Sequence, residues 1–156
     1  MAKLWYRECR TGRRFIIKLE PGTRIAAALL DFAQDQAVPF ASLVSAVGSV
    51  LDMEFTGIEA GSHLPMTEAR FRTNRAQGPL ELMALEGNIS RDADQKLAGD
   101  FYILGSKCDG DVVGGRLVEA TVFTTCEIVL AEYLVEGIER HHSATTGVDT
   151  LYIEEW

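Results

Sequence analysis

The sequence is short of residues that staple a fold or ligate metals, with three cysteines and three histidines in 156 residues. Cys9, Cys108 and Cys126 are odd in number, far apart and form no Cys-x-x-Cys pair. Neither a disulfide framework nor a thiolate zinc cage is indicated, and small buried thiols are expected. His63 lies in a turn-like Gly-Ser-His-Leu-Pro segment, while His141 and His142 are adjacent in a polar tail. Adjacent side chains on extended backbone point to opposite faces, so this pair does not chelate one ion easily, and solvent exposure is expected for all three histidines.

Basic charge is also scarce: 15 Lys and Arg stand against 23 Asp and Glu, a net charge of -8. That balance repels a phosphate backbone, so any nucleic-acid role requires a local basic patch or a basic partner. No apolar run approaches the ~20 residues that span a bilayer, and the basic start, Met1 to Arg14, holds none of signal-peptide length. A cytoplasmic protein without a membrane partner is therefore expected. Walker and Gly-x-Gly-x-x-Gly patterns are absent, and spacing assembles no Ser-His-Asp, paired-carboxylate or Cys-His set. An enzyme is accordingly the less favoured class.

What is present suits one packed domain over residues 1–156: hydrophobic residues make up 47% and charged residues 24%. Residues 14–20 alternate Phe15, Ile17 and Leu19 against polar neighbours and read as a strand, broken by Pro21-Gly22. Thr23 is placed to cap a helix that carries Ile25, Ala28, Leu29, Phe32 and Ala33 on one face and ends before Pro39. Strands are then expected at 40–47, 50–59, 69–73, 80–89 and 100–104, separated by Gly48-Ser49, Gly61-Ser62, Gly78-Pro79 and the polar run 90–96. This order suggests a meandering antiparallel sheet.

Residues 118–131 concentrate Val122, Phe123, Thr124, Thr125, Ile128 and Val129, which favours a long, largely buried strand. The tail adds a short strand candidate at 135–139, a polar turn at Thr145-Thr146-Gly147 and an apolar cluster of Leu151, Tyr152 and Ile153. The fold class is α+β.

Four stretches are distinctive together: FIIKLEPG from Phe15, VSAVGS from Val44, GPLELMALEGNIS from Gly78 and DGDVVGGRLVEATVFTTCE from Asp109. In this order and spacing the chain resembles the PPC (plants and prokaryotes conserved, or PCC) domain of the stand-alone prokaryotic type, most clearly over 7–140. The resemblance implies a compact, largely antiparallel sheet with a few flanking helices, an acetolactate-decarboxylase-like fold and a homotrimer. It also implies candidate DNA-associated or regulatory work, with a protein partner or DNA as further partners. Fold analogy alone does not fix function.

Many relatives of this type carry a His-x-His pair on the strand before the Gly-Gly element and a third histidine after it, a set suited to a divalent metal. The matching positions here are Asp100, Tyr102 and Arg116, the last following Gly114-Gly115. A guanidinium is permanently charged and has no lone pair to give, so no metal and no cofactor is expected. Asp100 and Arg116 are instead suited to a charge-assisted pair beside the Tyr102 hydroxyl. Its simplest role is to stabilise the sheet or a subunit interface; the functional alternative is a pocket where Arg116 binds a small carboxylate or phosphate.

Asp100, Tyr102, Gly114, Gly115 and Arg116 are therefore the ligand-site candidates, although Gly114-Gly115 reads more simply as a tight hairpin turn. Arg10-Thr-Gly-Arg-Arg14 resembles an AT-hook but lacks its proline, and reads as a solvated basic turn. Two functions follow: a trimeric interaction or regulatory module associated with DNA, and a small-anion binding protein or enzyme that uses the altered pocket.

Overall fold

The computed structural model describes residues 4–154. β1 (Arg10–Leu19) leads into α1 (Ile25–Asp35), followed by β2 (Ala41–Ile58), β3 (Phe71–Arg91), β4 (Leu97–Ser106), β5 (Val112–Leu134), β6 (Ile138–Ser143) and β7 (Val148–Ile153). The helix follows its period: Ile25, Leu29 and Ala33 are fully buried, and Phe32 meets Phe15 of β1 edge-on at 5.1 Å.

The start of α1 differs from expectation. Arg24, not Thr23, is the N-cap, and its side chain makes no capping bond. The first-turn amides of Ala26 and Ala27 instead donate to the two Glu119 oxygens at 2.8 and 3.2 Å, an anion at the positive end of the helix. Thr23 is held by its backbone, its carbonyl accepting from Val122 N at 2.9 Å.

Two expected breaks lie inside strands. Gly48-Ser49 falls within β2 and Gly78-Pro79 within β3. At Gly48 the backbone has φ +152° and passes so close to β5 that a Cβ would sit 2.2 Å from the Thr125 carbonyl oxygen. Gly78-Pro79 forms a bulge, because Val50 pairs with Leu80 while Asp52 pairs with Gln77.

The main sheet has the order β1-β5-β2-β3-β4, all antiparallel, and β4 also pairs with the first residues of β5. The expected meander holds through β2-β3-β4 and closes on itself: β5 pairs with β4 and returns to β2, so pairings β2-β3-β4-β5-β2 form a ring with β1 added outside. Met53, Leu80, Leu85, Ile89, Ile103, Val122, Ile128 and Leu130 form one buried core with Ile25, Leu29 and Ala33 of α1. The architecture is a single compact, mostly antiparallel α+β domain.

The tail forms a separate two-stranded sheet, β6-β7, tied to the body by a bridge between Asp92 and Arg140. Its first strand begins at Ile138, so the strand expected at 135–139 is displaced towards the C-terminus. Only Cys126 is a buried thiol, pushed up to about 11 chiefly by desolvation and then by Glu127; Cys9 and Cys108 are exposed. Cys9 precedes β1 and Cys108 lies in the β4-β5 turn, where no core is available to cover them. Among the described residues no helix is long and apolar enough to cross a membrane.

Candidate functional site

Strand alternation positions the first half of the site. Phe101 and Ile103 of β4 are buried in the core, so Asp100 and Tyr102 lie on the opposite face. Tyr102 pairs with Arg116 of β5, and Arg116 pairs on its other side with Thr56 of β2, which puts Arg116 on that same face. Arg116 Nε donates to Asp100 Oδ1 at 2.9 Å.

A residue outside the sequence-derived set completes the arrangement. Arg140, on β6, is only 7% exposed. It donates from one Nη to Asp100 Oδ2 at 3.3 Å and to the Asp149 carbonyl at 3.4 Å, and from the other to Asn88 Oδ1 at 2.8 Å. Two guanidiniums thus share one carboxylate, which compensates for burying the Arg140 charge. The Arg140 Nε remains buried without a hydrogen-bond partner. No sequence signal marks Arg140 as buried, since it sits in a polar tail beside two histidines.

These groups open onto a cavity of about 730 Å³, floored by β2, β3, β4 and β5 and roofed by the β6-β7 hairpin and the loop at 59–67. Ile58, Leu64, Met66, Phe71, Val148 and Leu151 supply apolar walls. The Arg116 side chain is 40% exposed, and its two Nη groups make no hydrogen bond to any described residue. They form a free fork of donors, the geometry that grips a carboxylate or phosphate in two places.

Gly115 also lines the cavity, but Gly114 does not. Neither is in a turn: the β4-β5 turn lies at 107–111, where Lys107 N donates to Asp111 O at 2.8 Å and Gly110 takes φ +91°. Gly114 is instead required by strand approach, because a Cβ there would lie 1.9 Å from the Ile103 carbonyl oxygen.

The donor set does not fit a divalent metal. Asp100 has both oxygens engaged by guanidiniums, and the neighbouring positions bring positive charge where an ion would sit. Among the described residues no group of three His, Cys, Asp or Glu is arranged to hold one.

None of the three histidines lines the cavity. His63 is exposed, and His142 is exposed with Nδ1 3.2 Å from Asp149 Oδ1. His141 is half-buried rather than solvated, because its Nε2 meets Glu139 Oε2 at 2.9 Å and its ring packs on Tyr152 at 5.1 Å. That contact and Gln95 hold the Glu139 carboxyl below its ordinary range.

The AT-hook-like segment is not a turn either, since it opens β1. Within it Arg13 makes a two-pronged pair with Glu132, Nε to Oε2 at 2.7 Å and Nη2 to Oε1 at 2.9 Å.

The family model of the Plants and Prokaryotes Conserved (PCC) domain matches residues 6–134. The chain belongs to this family. Among solved structures, the PCC-domain chain is similar to a metal-containing protein of Archaeoglobus fulgidus, with 25% identity, TM-score 0.83 and coverage of 97% of this chain and 100% of that one. A PPC protein of Pyrococcus horikoshii gives 20% identity and TM-score 0.80 over 98% and 99% of the two chains. A candidate DNA-binding protein of Ralstonia eutropha JMP134 gives 18% identity and TM-score 0.75 over 89% and 90%.

The likeness to acetolactate decarboxylase is coarser than expected. A Staphylococcus aureus protein similar to that enzyme gives TM-score 0.50 and 15% identity over 81% of this chain and 53% of that one. A curated relative, the Bifunctional protein GlmU of Synechococcus sp. (strain JA-3-3Ab), is 28% identical over 144 residues, 92% of this chain. The PCC-domain chain spans 21% of that relative's length.

Proposed function

We propose that this PCC-domain protein is a regulatory module that senses a small anion, held by Arg116 in the cavity between the sheet and the β6-β7 hairpin. One observation carries the reading: Asp100 fixes Arg116 through Nε, and Arg116, with neither Nη hydrogen-bonded to a described residue, lines a cavity of about 730 Å³. That volume is within the range of about 300–1,000 Å³ in which proteins enclose small ligands. Nothing among the described lining residues combines a nucleophile with an oriented base, which supports binding rather than turnover.

The module is proposed to act as a homotrimer in the cytoplasm, without a membrane partner. Ile16, Val44, Val47 and Phe123 are exposed on the adjacent strands β1, β2 and β5, apolar surface suited to a second copy. Association with DNA is proposed to run through a partner. The net charge is -8, and Arg13, in the basic segment, is already paired with Glu132. Likeness to a stretch of a longer bifunctional protein also supports a module that works alongside other units.

Calorimetric titration with small carboxylates and phosphates tests the anion reading. Saturable binding by the native protein, lost in Arg116→Gln, is expected. Absence of saturable binding across the panel, or equal binding by the variant, overturns it.

A further inference from the structure

We infer that the ligand is a monocarboxylate with an apolar body, rather than a phosphate ester or a dianion; this rests on the anion reading and narrows it. The charge balance points there first. Arg116 and Arg140 face one carboxylate, Asp100, leaving a single positive charge in excess in the cluster. The other carboxylate on the cavity wall, Asp149, is exposed and meets His142, so a second negative charge on the ligand would face repulsion there.

The donor count agrees. Arg116 offers one free fork, which two carboxylate oxygens satisfy in parallel bonds. Tyr102, its register partner, also lines the cavity and adds a hydroxyl. Phosphate sites commonly recruit several backbone amides at a helix start or a lysine. Here the α1 start is occupied by Glu119, and no lysine lines the cavity.

The walls supply the rest. Ile58 and Leu64 are 66% and 60% exposed, large apolar surfaces that a ligand body would remove from water. They stand with Met66, Phe71, Val148 and Leu151 around the polar end, so the cavity is amphipathic in the same sense as a carboxylic acid with a hydrocarbon or aromatic body.

Calorimetry with octanoate, octanamide, octyl phosphate and acetate on the full chain tests this. Octanoate is expected to bind saturably, one per chain, and about tenfold or more tighter than each of the other three. Arg116→Gln should abolish the preference for octanoate over octanamide, and Arg116→Lys, which keeps charge without the fork, should restore it only partly.

Octyl phosphate binding as tightly as octanoate overturns the carboxylate assignment while leaving the anion reading intact. Acetate matching octanoate overturns the apolar body alone. Octanamide matching octanoate, or no binding by any anion, removes both readings. Should Arg116→Gln fail to fold by circular dichroism, Leu151→Asp on the wall serves instead: weakened octanoate binding is expected, and unchanged binding overturns the proposal.

Discussion

Arg116 and Asp100 face each other on the outer side of adjacent strands, with Nε donating to Oδ1 at 2.9 Å. They occupy positions where resemblance to the family implies metal-binding histidines, and here those positions hold an ion pair. The purified protein is therefore expected to contain no stoichiometric zinc by elemental analysis. The combined variant Asp100→His, Tyr102→His, Arg116→His should acquire zinc, because the three positions share one face. Stoichiometric zinc in the native protein would refute the ion-pair reading.

Glu132 is 4% exposed and accepts from Arg13, whose bonds hold its carboxyl below the ordinary value of 4.5. A carboxyl depressed in the folded state stabilises the fold above its unfolded pKa, and the contribution is lost as pH falls through the folded value. Glu132→Gln is expected to lower the melting temperature at neutral pH. The gap from native protein should narrow as pH drops below the ordinary glutamate range, and thermal melts across that range check both points. A gap independent of pH would mean that charge is not what Glu132 contributes.

Gly114→Ala should destabilise the fold by about 1–3 kcal/mol, the usual scale of overpacking, because its Cβ would lie 1.9 Å from the Ile103 carbonyl oxygen of the paired strand. Denaturant titration reads the loss. Gly110→Ala tests a turn instead: no atom lies within 4 Å of its added Cβ, so strain there comes only from φ +91° and the effect should be smaller.

The assembly is expected to scatter light as three chains of 17.2 kDa each. Arg or Asp placed at Ile16, which is 88% exposed on β1, should shift it towards monomer if that surface is covered. A stable native monomer at micromolar concentration would remove the trimer.

Duplex DNA is expected to associate only weakly, with steep loss on adding salt, in a gel-shift titration of the isolated protein. Arg13→Ala should change it little, since that guanidinium is committed to Glu132. Nanomolar, sequence-selective binding at physiological salt would show a direct reader of DNA.

The period of Ile25, Leu29 and Ala33, the long buried strand through Val122 and Ile128, and the strand that carries Asp100 and Tyr102 were legible because each depends on neighbours in the chain. The same local signals misread Gly48-Ser49 and Gly78-Pro79, since a glycine that permits a turn equally permits a bulge, and the facing strand decides between them. The α1 start is satisfied by Glu119, 93 residues beyond Ala26, and Asp100 gains its second guanidinium from Arg140, 40 residues on. Sequence by itself determined the helix, the strand-rich texture and one family; tertiary structure decided where strands run on and which charges meet, because strand register and the folded-back hairpin bring together groups that no local periodicity relates.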